Sequence, residues 1–379
     1  MLHKPDENTR QTILFVYLGR FGALGRFTLE LADAAASFPE PFAQFVVSAN
    51  NDIVTQAAAR GLSVRSVETF SRPTPLALTS GYLRARRQFI AHLDVVKPQV
   101  VVNLMAHVWS PLLTAVAQAR GVRVLTVVHD AVAHPGDPTA RINQWLLREA
   151  RRADGIVTLS EAVAHSLADR KFATDKDINV LFHPDLRFGA KGTPRTWAGD
   201  RPLRLLFFGR IMAYKGLDLL VEAVEDLRQA GVPVELAVAG SGEIGARTRA
   251  MLNSLGAEVI NRWIGDEEIT PLLERFDAVA CAHIEASQSG VAATAFAHAM
   301  PVIAMPTGGI VEQVVDGETG VLAKEASRQA LSAAIARLAQ TPELYNSISA
   351  KLVSSAPTRS MRAFLKDISQ VALRQSALR

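Results

Sequence analysis

What most restricts the folds open to this chain is a rhythm. A short apolar run ends at a glycine, proline or polar turn, a segment with helical apolar spacing follows, and another apolar run begins. In the first half the runs are Ile13 to Leu18, Phe42 to Ser48, Leu62 to Val67, Val100 to Leu104, Val122 to Val128 and Gly155 to Leu159. In the second half they are Leu203 to Phe208, Val234 to Ala239, Glu258 to Asn261, Ala278 to Ala282, Val302 to Met305 and Gly320 to Leu322. Strands that alternate with helices in this way imply parallel sheets, doubly wound and joined by right-handed crossovers. The expected class is α/β.

At 379 residues the chain is too long for one ordinary core, and 49% hydrophobic residues suffice for two. The stretch FGAKGTPRTWAGDRP is rich in Gly, Pro and charge and lacks periodicity, so it reads as a linker. The expected organisation is a first Rossmann-like domain over 1–187, a linker over 188–202, a second Rossmann-like domain over 203–358, and a terminal helix in 359–379 packing back on the first. The two similar sheets are expected to face one another across a cleft. Within the helical segments, Tyr82 to Val96 follows a Pro-punctuated loop, Arg72 to Pro75, and Ser160 followed by Glu161 reads as an N-cap.

Several function classes drop out on composition. A net charge of +4 and a pI of about 9.3, with no interleaved aromatic and basic tract, do not indicate nucleic-acid binding. No apolar run has the length a membrane span needs, and the opening MLHKPDENTR is polar rather than a signal peptide, so the expected location is the cytoplasm. A single cysteine, Cys281, makes no internal disulfide or cysteine zinc cluster and reads as a small core residue. Arg84, Arg86 and Arg87 cluster around Tyr82, Leu83 and Phe89. Such a helix presents either a solvated face or a surface that rests on an anionic membrane.

The chemistry concentrates at strand ends. In LRLLFFGRIMAYK the apolar run stops at Gly209, and Arg210 and Lys215 follow before a helix. Cations at the carboxyl end of a parallel strand, beside a helix start, suit a diphosphate. Basic residues also flank many helices as solvated surface cations. After Ile13 to Leu18, Gly19, Gly22 and Gly25 loosen a turn, though not with G-x-G-x-x-G spacing. The loop after Val128 carries His129, Asp130, His134 and Asp137, in no standard zinc pattern; a strand-end imidazole suits a hydroxyl or phosphate, or else these are turn residues. His183 and Pro184 end a further strand and read as structural. Ser289 and Gly290 sit near a helix start with free backbone N–H groups, and Glu285 can accept sugar hydroxyls.

At this point the set GRIMAYKG (209–216), AGSGE (239–243), EASQSGVAATAFAHAMPVIAMPTGG (285–309) and DGETGVL (316–322), with VVHDAVAHPGD and ADGIVTLSEAVAHSL in the first half, resembles glycosyltransferase family 4. The likeness spans the chain from about Ile13 to the final helix. It implies the GT-B fold and transfer of a hexosyl group from a UDP- or GDP-sugar, with retention and without a metal or bound cofactor. The implied acceptor is a saccharide, lipid-linked, in polysaccharide, exopolysaccharide or glycolipid synthesis at the inner membrane face. On the family pattern Arg210 and Lys215 neutralise the diphosphate leaving group, His129 stands near the donor sugar, and Glu285 stands in for the first of two glutamates. Gly22 and Ala23 form the acceptor-side loop; Gly209, Gly242, Glu243, Arg262 and Ile264 lie near the nucleotide; Gln288, Ser289, Gly290 and Val291 meet sugar and phosphate. The family's ribose-binding glutamate falls here on Thr294, a weaker partner for a hydroxyl. Two other readings remain: a sugar-nucleotide epimerase of the same fold, and an inactive sugar-nucleotide-binding scaffold.

Overall fold

The computed structural model describes residues 11–20, 22–38, 42–72, 74–132, 142–170 and 176–374. They divide into two compact units. The first holds the described residues up to Val132, those of 142–182 and the chain from Met361 onward; the second holds His183–Ser360.

In the first unit the described strands are β1 (Thr12–Tyr17), β2 (Phe42–Ser48), β3 (Arg65–Val67), β4 (Val100–Asn103), β5 (Arg123–Val128), β6 (Gly155–Thr158) and β7 (Ile178–Val180). They form one parallel sheet in the order β3-β2-β1-β4-β5-β6-β7. Ile13 of β1 lies beside Ala43 on one side and Val100 on the other, and β1 is buried along its whole length, as a central strand covered on both faces must be. The crossovers are helices α1 (Ala23–Ala36), α2 (Ile53–Ala59), α3 (Pro75–Val96), α4 (Ser110–Gln118), α5 (Asn143–Arg152) and α6 (Glu161–Asp169).

The second unit repeats the plan. Strands β8 (Leu203–Phe208), β9 (Val234–Ala239), β10 (Glu258–Ile260), β11 (Ala278–Cys281), β12 (Val302–Ala304) and β13 (Gly320–Leu322) lie parallel in the order β10-β9-β8-β11-β12-β13. Helices α7 (Leu217–Gln229), α8 (Ala246–Leu255), α9 (Asp266–Glu274), α10 (Gly290–Ala297), α11 (Ile310–Gln313), α12 (Arg328–Ala339) and α13 (Pro342–Ser355) connect and cover them. Leu205 and Leu206 of β8, Leu220 of α7 and Val279 of β11 are fully buried, each stabilising the core by about 1.5–3 kcal/mol. Helix α14 (Met361–Leu373) belongs to the first unit, where Phe364 meets Phe27 of α1 edge-on at 5.2 Å and the Arg123 guanidinium donates to Ala372 O at 3.0 Å.

In both sheets the chain runs outward, then returns to the other side of its first strand. β1 therefore lies between β2 and β4, and β8 between β9 and β11. The crevices beyond the carboxyl ends of β1 and β4, and of β8 and β11, are where open α/β sheets receive ligands.

Two local features differ from the sequence reading. Helix α3 begins at Pro75 rather than at Tyr82, because Thr74 caps it by accepting from Ala77 N at 3.2 Å and proline fits a first helical turn. The further strand expected to end near His183 is β7, half-buried at the edge of the sheet. The stretch 188–202 is built into the second unit. Trp197 is 3% exposed within that core, Trp197 N donates to Asn346 Oδ1 at 2.9 Å, and Arg195 N donates to Ser349 Oγ at 2.7 Å. Its Gly and Pro content marks absence of regular structure, which is compatible with tight packing.

Candidate active site

The site of the second unit starts where β8 ends. Gly209 N donates to Ala239 O at 2.9 Å and Ile211 N to Ser241 O at 2.8 Å, so the turn after β8 runs alongside the loop after β9. A single 3₁₀ turn, Ala213–Lys215, then leads into α7 through Gly216, whose φ of 69° is left-handed. A Cβ there would fall 2.0 Å from Ala282 O, so glycine alone lets this turn lie against the end of β11.

Lys215 reaches back over Gly209. A Cβ on Gly209 would stand 3.2 Å from Lys215 Nζ and 3.2 Å from Val291 Cγ2, which fixes the meeting point of the lysine and the first turn of α10. Burial, opposed by the neighbouring Cys281 and assisted by the Arg210 charge, pulls the Lys215 ammonium down to about 8. Among the described residues neither the Lys215 ammonium nor the Arg210 guanidinium has a carboxylate or hydrogen-bond partner. A desolvated ammonium and a second cation without a counterion form a site that favours an anion.

Helix α10 supplies backbone donors to the same place. Ser289, 3% exposed, is its N-cap, with Oγ accepting from Ala292 N at 3.2 Å. Gln313 fixes it from α11, its Oε1 accepting from Ser289 N at 2.6 Å and its Nε2 donating to Ser289 O at 3.3 Å. The amides of Gly290 and Val291, in the first helical turn, are left for an incoming acceptor. Cys281 Sγ lies 3.7 Å from Ser289 Oγ, buried, and its thiol is pushed up to about 11 by burial.

The loops around this point are laced together. Ile284 N donates to Tyr214 O at 2.7 Å, Thr307 Oγ1 to His283 O at 3.0 Å, and Gly309 N to Ala286 O at 3.1 Å. Gly242 and Asn261 exchange two hydrogen bonds at 3.2 and 3.0 Å. Glu243 and Glu285 are exposed on these loops and Gln288 is half-buried.

Three expected residues have side chains that are paired or buried within the second unit. The Arg262 guanidinium is held bidentately by Glu268 at 2.8 and 2.6 Å, a pairing that keeps the Glu268 carboxyl at about 2, while Glu268 also caps α9 through Gly265 N. Ile264 is 7% exposed and its side chain lies in the core, leaving the backbone as what this segment can offer. Thr294 is 3% exposed and its hydroxyl donates to Gly290 O at 2.8 Å, so it is spent on its own helix rather than turned toward a ribose.

In the first unit Gly22 caps α1 with Ala23 next to it, both exposed at the end of the β1 loop. His129 follows β5 with Nε2 2.8 Å from Leu104 O, and burial lowers its pKa against the opposing pull of Leu104 O and Asp130. The neutral ring thus donates from Nε2 to that carbonyl. His134, Pro135, Gly136 and Asp137 lie outside the described residues. Among the described residues no grouping of His, Cys, Asp or Glu could hold a metal ion. Sequence reading passed over His107, at the end of β4; its signal was its position after the VVVN run, which no motif marks.

Family models now bear on this geometry. One described as Glycosyltransferase Family 4 matches residues 24–183, and one described as Glycosyl transferases group 1 matches residues 202–341, so all the strands but β1 are covered. The chain belongs to glycosyltransferase family 4. The GDP-mannose-dependent alpha-(1-6)-phosphatidylinositol monomannoside mannosyltransferase of Mycolicibacterium smegmatis is 30% identical over 180 residues, 42% of this family 4 chain and 44% of that protein. This match therefore spans less than half of that relative's length. The D-inositol 3-phosphate glycosyltransferase of Actinosynnema mirum is 29% identical over 312 residues, 74% and 72% of the two chains. The crystal structure of Anabaena Alr3699/HepE in complex with UDP superposes with a TM-score of 0.69 at 16% identity, covering 95% of this chain and 99% of that one. At that identity the likeness is one of fold, and the fold is GT-B, with two Rossmann-like sheets. No described helix is long and apolar enough to cross a membrane.

Proposed function

We propose that this family 4 chain moves a hexosyl group from a UDP- or GDP-sugar to a saccharide acceptor, lipid-linked, in glycolipid or polysaccharide synthesis, with retention and without a metal. The observation that carries the reading is the desolvated Lys215, unpaired among the described residues, beside Arg210 at the start of α10, where β8 and β11 diverge. A diphosphate there would accept from Lys215, Arg210 and the Gly290 and Val291 amides. Charge on that diphosphate grows as the glycosidic bond breaks, so fixed donors stabilise the transition state more than the ground state. Cations of the protein would then do what a metal does in other nucleotide-sugar enzymes. The neutral His129 is suited to hydrogen bonding at the sugar rather than to binding phosphate by charge.

The choice of donors rests on relatives, one named for GDP-mannose and one structure holding UDP. A lipid-linked acceptor is supported by the phosphatidylinositol mannoside in the first relative's name. Peripheral contact at the cytoplasmic membrane face is part of the proposal: on α3, Leu83 is 57% exposed, although Arg84 already pairs with Glu68 at 2.7 Å. Incubation with each donor and a saccharide panel, in EDTA, is expected to give a glycoside whose anomeric configuration by NMR matches the donor. Product of inverted configuration or strict dependence on a divalent ion contradicts the mechanism. Epimerised donor formed without any acceptor would favour the epimerase instead, and nucleotide binding without turnover the scaffold.

A further inference from the structure

One wall of the first unit's ligand crevice has no assigned role. By topology that crevice lies beyond β1 and β4, as the anion site of the second unit lies beyond β8 and β11. Gly22 and Ala23 belong to the β1 side. The β4 side is the turn that follows Leu104, and it carries His107.

This imidazole is held from three directions. His107 N donates to Ser110 Oγ at 3.0 Å, Trp109 N donates to His107 Nδ1 at 3.3 Å, and the ring packs against Phe70 at 5.4 Å and Trp109 at 5.2 Å. Trp109 is itself anchored, its Nε1 donating to Leu78 O at 3.1 Å. Because Nδ1 is an acceptor, the proton of the neutral ring sits on Nε2. Nε2 has no partner among the described residues, and the residue is half-buried rather than enclosed. Burial of the ring lowers its pKa to about 4, which keeps it neutral at ordinary pH. The neighbouring loops close on the same point: the Arg20 guanidinium, after β1, donates to Ser71 O, next to the half-buried Phe70 after β3.

A pre-oriented, uncharged N–H donor beside a half-buried aromatic ring does not suit a phosphate, which calls for a cation. It suits a neutral sugar, with a hydroxyl oxygen accepting from Nε2 and the apolar face of the pyranose against Phe70. We propose that His107 is an acceptor-binding residue, donating from Nε2 to a hydroxyl of a saccharide seated in the β1/β4 crevice. The inference rests on the transferase reading above, which makes a saccharide the second substrate.

The test is a titration of the full chain, labelled with ¹⁵N-histidine and saturated with UDP, with methyl α-glucoside, methyl α-mannoside, methyl α-galactoside and myo-inositol as probes. The ring nitrogens of His107 should report the neutral Nε2–H form from about pH 5 to 8, and at least one probe should shift them saturably. His107→Phe should weaken that probe at least tenfold with UDP affinity within about twofold of wild type, whereas His107→Gln, which keeps an N–H donor, should stay within about threefold. If no probe moves the His107 signals, or His107→Phe binds the probe as wild type does, the proposal is overturned. Should His107→Phe not fold, the wild-type titration still decides. Failure of UDP to bind the wild type would instead overturn the transferase reading.

Discussion

At the scale of single residues, Lys215 and Glu149 carry opposite electrostatic burdens. The Lys215 ammonium is lowered from 10.5 to about 8, so its charge costs the folded protein stability below about 8, and that cost fades as pH rises toward 10.5. A bound diphosphate offsets the cost and raises the pKa in the complex. UDP affinity is therefore expected to be flat from pH 6 to about 7.5 and to fall above about 8, by up to about tenfold per pH unit, with proton uptake visible in calorimetry. Lys215→Met should remove that pH dependence and weaken UDP by about 10- to 100-fold. Glu149 lies at 0% exposure on α5, accepts from Thr126 Oγ1 at 3.1 Å, and is raised from 4.5 to about 7 by burial, against the lowering effect of Thr126, Ser110 and Asn103. Its contribution is complete below about pH 4.5 and is lost as pH rises through about 7. Glu149→Gln should therefore gain about 1–3 kcal/mol over wild type at pH 8 and little at pH 4.5, read from urea unfolding at each pH. What the sequence disclosed at this scale was uneven. The place of Lys215 in the turn after β8 was legible because an apolar run that stops at a glycine before helical spacing puts it there. The fate of Arg262 was not, because its partner Glu268 is one acidic residue among three at the start of α9.

At the scale of elements, what was legible is what period and punctuation encode. β8, α7 and α10 are long enough or apolar enough to read directly, and Ser160 caps α6 as its sequence suggested, accepting from Val163 N at 3.3 Å. The packing of the irregular 188–202 was not legible, because burial there comes from partners distant in sequence such as Asn346 and Ser349. Thr294 shows the same limit at the site: its residue type allows a ribose contact, but the α10 backbone takes its hydroxyl first. The turn from β8 to α7 offers a test of close approach. Gly216→Ala would place a Cβ 2.0 Å from Ala282 O at a φ of 69°, whereas Gly231→Ala, at a φ of 71°, meets nothing within 4 Å. The second should cost about 1 kcal/mol from backbone strain alone, and the first about 2–4 kcal/mol together with loss of UDP binding. Equal melting temperatures for the two variants would show that the turn is not held as described.

At the scale of the whole molecule, the chain is two repetitions of one plan, with its last helix returned to the first unit. Removing the chain from Met361 onward uncovers Phe27 and the Arg123 guanidinium, both in the first unit, and leaves the second intact. Such a truncation should lower the melting temperature of the first unit, with UDP affinity within about threefold of the full chain. A large loss of UDP binding would contradict the placement of the nucleotide site in the second unit alone. The doubly wound class and both sheets were readable because alternation is a property of the whole sequence; the packed connection depends on contacts that alternation does not encode. The central claim is most directly tested by a crystal structure of this protein grown with UDP. The expected result is a diphosphate within hydrogen-bond distance of Lys215 Nζ, the Arg210 guanidinium and the Gly290 and Val291 amides. A nucleotide bound elsewhere, with Lys215 and Arg210 left facing water, would contradict it.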